Sequence, residues 1–194
     1  MKFFGKLTLT LISILVASTA HALPQLDFDV DTGTGGFQTD RVVTVGAIFD
    51  VEIHISNVIG LYSYQILVDH NPAVLDATGV TEGPFLTAVA DATLGTVFDP
   101  VDSSNPVDVI STLLAVPTGA SGSGLLFTIQ YSAVAAGISS LQFVFTDLVD
   151  DQLQPITVGL GGARIVVQAA PLPSTLLIFG AGLSAIAGVR RRNR

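Results

Sequence analysis

From Phe49 to Ser56 the chain alternates without a break: apolar Phe49, Val51, Ile53 and Ile55 against Asp50, Glu52, His54 and Ser56. A repeat of two sends successive side chains to opposite faces, so this segment predicts a strand with one dry and one wet face. The pattern returns with Tyr62, Tyr64, Ile66 and Val68, with Leu125, Phe127, Ile129 and Tyr131, and with Leu141, Phe143 and Phe145. Shorter strands are predicted at Leu26–Val30, Val107–Val116 and Ala163–Val167. Turn-forming residues separate them at Gly33–Gly36, His70-Asn71-Pro72, Asp102–Pro106, Pro117–Gly124 and Asp150–Pro155. Helical periodicity is scarce; Ala73–Leu75 and Thr87–Ala92 are read as short helical turns. Seven to nine short strands punctuated in this way predict an all-β protein, an antiparallel β-sandwich.

The two ends follow other rules. Lys2 and Lys6 flank a basic start, an apolar run covers Leu7 to Ala17, and Ala20-His21-Ala22 places small residues where a signal peptidase reads them. Residues 1–22 therefore read as a secretory signal peptide forming a short helix, with cleavage after Ala22; an uncleaved anchor is the other reading. At the far end, Pro171-Leu172-Pro173-Ser174 leads into an apolar stretch to Val189 and then Arg190, Arg191, Arg192, Asn193 and Arg194. This tripartite tail, residues 169–194, resembles the PEP-CTERM sorting signal, with Leu172 where the usual form has Glu. The resemblance implies recognition by a membrane exosortase of the Pro171–Ser174 motif and the arginines, after export across the inner membrane. Ser174–Val189 gives a hydrophobic helix of about 24 Å against a hydrocarbon core of ~30 Å, close to spanning if counted from Pro171. Gly180, Gly182 and Gly188 would permit close helix packing, and the arginines would stop transfer. A plain C-terminal anchor is the alternative, distinguished by whether the helix is retained.

What remains, residues 23–168, is one domain's length. All sixteen acids lie there with only Arg41 and Arg164, a net charge of −14. Such a body cannot bind nucleic acid by neutralising phosphates; it suits solubility outside the cell and could attract Ca²⁺. The chain has no cysteine, which removes disulfides, thiol catalysis, thiolate zinc sites and lipid attachment through a cysteine.

The order of segments then becomes informative. Gly46 precedes the alternating strand, Asn57-Val58-Ile59-Gly60-Leu61-Tyr62 follows it, and Tyr64 to Val68 closes in Asp69-His70-Asn71-Pro72-Ala73-Val74-Leu75. This resembles the cohesin-like family, in which a strand ending in Asn-Val leads to one closing in a Tyr-Asp-Pro-x-x-Leu-like turn. Gly124–Ala133 and Gly137–Phe145 are similar to the strands of the family's second half. The resemblance implies a jelly-roll β-sandwich that binds a partner, with a dockerin-type protein as one possibility.

Candidate chemistry is sparse. His21 leaves with the signal peptide, and His54 and His70 sit in no nucleophile or metal pattern, so the chain reads as non-enzymatic. Asp27, Asp29 and Asp31 superficially follow a calcium-loop spacing, but the glycine is misplaced and Gln38 stands where a glutamate belongs. Asp147, Asp150 and Asp151 form a second candidate for Ca²⁺, or are solvated turn acids. Tyr62, Tyr64 and Tyr131 could form a ligand-binding platform, or pack in the core. Together these readings describe a secreted binding or adhesion module of the cell envelope or biofilm matrix, with a protein or an extracellular polysaccharide as partner. A carbohydrate-binding module and a passive matrix protein are the competing readings.

Overall fold

The computed structural model describes residues 22–170 except 34, 91–94 and 103. Apart from Ala22, Ala169 and Ala170, the expected signal peptide and sorting tail lie outside the described residues.

Ten strands and one helical turn follow in chain order: β1 (Gln25–Asp29), β2 (Asp40–Thr44), β3 (Ile48–Asp69), β4 (Leu75–Glu82), α1 (Pro84–Thr87), β5 (Thr96–Asp102), β6 (Val107–Leu113), β7 (Ala120–Ala133), β8 (Gly137–Asp150), β9 (Gly159–Leu160) and β10 (Gly162–Gln168). Strand β3 is the hinge of the architecture. Its first half pairs with β1 and β7, its second half with β8 and β6. Between them, Asn57 and Gly60 adopt left-handed backbone (φ 55° and 68°) and the register to β7 shifts twice. His70, just past the end of β3, packs on Tyr131, which pairs with Phe49 near its start. The strand thus arches back over itself and supplies one strand to each of two stacked sheets. One sheet runs β5–β6–β3–β8–β10–β2 and the other β9–β1–β3–β7–β4.

The expected β-sandwich is therefore present, with differences in detail. Ten strands are described where seven to nine were expected, one of them the two-residue β9. Two edge pairings, β1–β9 and β2–β10, are parallel, because β2 crosses to the far edge beside β10, whose direction is set by antiparallel pairing with β8. Residues 72–74 form a turn and Leu75 opens β4, so no helix forms at Ala73–Leu75. The helical turn lies at Pro84–Thr87, earlier than Thr87–Ala92, because Pro84 is suited to a helix start. Strand β6 ends at Leu113, and Ala115 turns left-handed (φ 52°) where Val107–Val116 had been expected to continue.

Local chemistry explains the corners. Gly46 (φ 87°) allows the β2–β3 turn closed by Ala47 N–H to Thr44 O. In the β3–β4 turn, Asn71 accepts from Ala73 N–H through its side chain and from Val74 and Leu75 N–H through its carbonyl. Pro72 presets the φ of that turn.

The core lies between the sheets, where Leu26, Phe28, Ile53, Tyr64, Ile66, Phe127, Ile129, Tyr131 and Leu141 are almost wholly enclosed. Phe28 stacks on Phe143 across the gap, with ring centroids 4.3 Å apart. Each fully buried side chain of this size contributes roughly 1.5–3 kcal/mol, enough to explain a fold without disulfides.

Candidate binding surfaces

The outer face of the β5–β6–β3–β8 sheet follows from strand register. Thr112, Ser63 and Val149 align across β6, β3 and β8, with Val97 of β5 beside Thr112. The next row is Asp99, Ile110, Gln65 and Asp147, and the third brings Asp108, Leu67 and Phe145 together. Val97 and Phe145 are 49% and 46% exposed, and Val101 and Val144 also face solvent. Ser63 and Thr112 share a 2.6 Å hydroxyl contact, while Gln65 Nε2 donates to both carboxylate oxygens of Asp108 at 3.1 Å. Ser63, Thr112, Gln65 and Asp108 are thus tied to one another on a surface where Val97 and Phe145 stand free.

That apolar character comes from a bulge. Continued alternation from Leu141 and Phe143 would bury Phe145, but the register with β3 slips between Leu67 and Val68. Val144 is the extra residue, and Phe145 turns outward opposite Leu67.

The outer face of the second sheet is polar: Asp50, Glu52, His54, Thr128 and Gln130 all point away from the core. The bases are engaged elsewhere. Arg41 Nη1 donates to Val30 O at 2.6 Å and its guanidinium lies 5.1 Å from the Phe49 ring centroid; Arg164 Nε pairs with Asp40 at 2.7 Å. Neither lies on β5, β6, β3 or β8.

The residues singled out from the sequence fall as follows. Tyr64 and Tyr131 are enclosed between the sheets, leaving Tyr62 as the only one of the three tyrosines with a partly exposed side chain. Burial, and secondarily the Glu82 carboxylate, pushes the Tyr64 phenol well above its ordinary range; burial and Asp69 do the same for Tyr131. Asp147 stands on the outer face described above. Asp150 accepts from Gln152 and Gln154 N–H at 2.9 and 2.8 Å, and Asp151 accepts from Gly119 N–H at 3.3 Å. These acids close turns, and among the described residues no group of three or more His, Asp or Glu side chains converges as a metal site. Asp29 likewise accepts from Asp31 and Gln38 N–H, closing the loop after β1. His54 is bound to Glu52 at 2.8 Å. Burial holds His70 below its ordinary pKa, partly offset by Asp69 and Asp76.

No protein family matches the chain by sequence, and no curated protein does. Solved structures do match, cohesin modules among them. The cohesin of the Coh-OlpC–Doc435 complex from Clostridium thermocellum superposes with a TM-score of 0.58 at 12% identity, covering 79% of this chain and 99% of that one. A non-cellulosomal cohesin from Archaeoglobus fulgidus gives 0.55 at 14%, covering 76% and 92%. The third cohesin of ScaC from Acetivibrio cellulolyticus, solved with the ScaB dockerin, gives 0.58 at 14%, covering 75% and 99%. The fold is the cohesin β-sandwich.

Proposed function

We propose that this chain is an exported, non-enzymatic module that binds a protein partner through the outer face of its β5–β6–β3–β8 sheet. One observation carries the reading: Val97, Ile110, Leu67, Phe145 and Val149 lie in register on a sheet face that no helix or loop of the described chain covers. Isolated exposed apolar residues are ordinary, but several gathered on one uncovered sheet face mark an interaction surface. Asp99, Asp108 and Asp147 are interleaved with them in the same rows, so the partner of matching chemistry is a protein surface on which basic and apolar side chains alternate. That the cohesin structures of Clostridium thermocellum and Acetivibrio cellulolyticus were solved with dockerins supports a protein partner in general.

A non-catalytic role accords with the histidines. His54 is taken up by Glu52 and Phe37, and His70 by Tyr131 inside a turn, so neither is set as a base beside a hydroxyl. Export and exosortase sorting to the envelope or matrix rest on the sequence of residues 1–22 and 169–194. Among the described residues no helix is long and apolar enough to cross a membrane, so attachment in this reading depends on residues 171–194.

The test is capture by full-length protein, solubilised in detergent and immobilised, of components from the host's extracellular matrix. Protein capture that falls roughly thirtyfold in Phe145→Asp, equivalent to a ~2 kcal/mol hot spot, with the fold retained, supports the reading. Capture unchanged in that variant, or no protein captured at all, overturns it.

A further inference from the structure

The opposite face of the molecule has a different design. On β3, β7 and β4 the outward side chains align in polar rows: Glu52, Thr128 and Thr81 in one, Asp50 and Gln130 in the next. In the second row the β4 position is Gly79, which has no side chain to set beside Gln130. The β4 register slips between Ala77 and Gly79, leaving Thr78 as the bulged residue. Thr78 Oγ1 donates to the Gln130 backbone oxygen at 3.2 Å and contacts Oε1 at 3.3 Å, while Gln130 Nε2 reaches Asp50 at 3.5 Å. The result is a groove lined by the row Asp50, Gln130 and Gly79, open where Gly79 has no side chain, and by Thr128 and Thr81 of the neighbouring row.

Along the same face an aromatic ring is presented to solvent. Phe37 is 52% exposed and tilts against the His54 imidazole, 4.9 Å between centroids, while Glu52 holds the other side of that imidazole at 2.8 Å. His54 and Asp50 lie four residues apart on one strand, about 13 Å at 3.3 Å per residue. The ring and the groove therefore span the length of a few linked sugars.

We propose that this face binds a neutral polysaccharide chain, with Phe37 as the stacking platform and Asp50 and Gln130 as the hydroxyl-binding pair. A carboxylate offers only acceptors and an amide offers both donors and acceptors, so side by side they match two neighbouring sugar hydroxyls. An aromatic face and a few placed polar groups are how concave sites fix an uncharged ligand. The charge selects the glycan: the Asp50 and Glu52 carboxylates repel uronate or sulfate groups, and Arg41, which donates to the backbone oxygens of Val30 and Asp50 at 2.6 and 3.4 Å, is not among the residues lining the groove. The inference is independent of the protein-binding reading, which concerns the other sheet.

Affinity electrophoresis of the full-length protein through gels containing neutral glucans or mannans, with polyuronate gels alongside, tests it. Neutral glycans should retard the wild type. Phe37→Ala and Gly79→Val should each weaken retardation about tenfold, some 1.4 kcal/mol. A Cβ at 79 meets nothing within 4 Å, so Gly79→Val has open space in which to place its methyl groups, and a thermal melt confirms that the fold is kept. Phe145→Asp, on the other face, should leave retardation unchanged. No retardation in any neutral glycan, stronger retardation by polyuronate, or retardation of Phe37→Ala and Gly79→Val equal to that of the wild type would overturn the proposal.

Discussion

The imidazole of His70 stands edge-on to the phenol of Tyr131, 5.1 Å between ring centroids at 66°, and both rings are closed off from solvent. His70 Nδ1 and the Tyr131 hydroxyl make no hydrogen bond. Asp69 and Asp76 act on the imidazole from β3 and β4, and its backbone N–H donates to Asn105 from the loop before β6. Burial outweighs the two acids and keeps the imidazole neutral in the fold. In the unfolded chain it takes a proton near pH 6.5. The unfolded state then binds more protons below that pH, so the stability that depends on neutral His70 is complete above about 6.5 and declines as the solution is acidified. Between pH 7.5 and 5 the melting temperature of the wild type should fall more steeply than that of His70→Phe. Parallel curves would show that His70 does not control the slope.

Glu82 ties the edges of both sheets. Its Oε1 accepts from Thr96 on β5 at 2.8 Å and from fully enclosed Ser111 on β6 at 3.2 Å. Glu82→Leu leaves the Ser111 hydroxyl without that acceptor, a loss of about 1–3 kcal/mol, whereas Glu82→Gln keeps an acceptor and loses less. Urea unfolding of the two variants measures the difference; equal losses would mean that the contact with Ser111 contributes nothing.

At Gly119 a side-chain carbon would collide with the backbone of Gly60 and Leu61, where β3 passes from one sheet to the other. Gly119→Ala should cost about 1–3 kcal/mol by displacing that arch, and Gly79→Ala should be close to neutral. Thermal melts of the pair check the contrast.

Phe28→Ala removes the enclosed ring that meets Phe143 between the sheets. A loss of about 3–5 kcal/mol is expected in denaturant unfolding, with the transition still cooperative.

Most strands could be read from the sequence because a half-buried strand imposes a repeat of two. Phe49–Ser56 and the run through Tyr64, Ile66 and Val68 lie within β3 in the predicted phase, and the turn at Asn71-Pro72 has the hydrogen bonds its residues suit. The features that shape the surface were hidden for a common reason: each is a slip of register that only the partner strand defines. Leu125 was read in phase with Phe127, yet the slip between Ile53 and His54 sends Leu126 into the core in its place. Phe145 was read as inward and is turned out at Val144. Strand β5 contains Pro100 and falls partly where a turn was expected; it is an edge strand, where a missing N–H is tolerated. The glycan face could not be assembled in advance, since Phe37, Gly79 and Gln130 come from separate parts of the chain.

Strand β10 ends the described body at Gln168, between parallel β2 and antiparallel β8. From Arg164 to Val167 it is held on both sides by ladders whose hydrogen bonds lie across the strand. Tension applied to the chain beyond Gln168 acts along β10, so those bonds are loaded together in shear and do not peel one after another. A domain held at this point would resist extraction as a unit, with its two faces kept in place while the surrounding medium pulls.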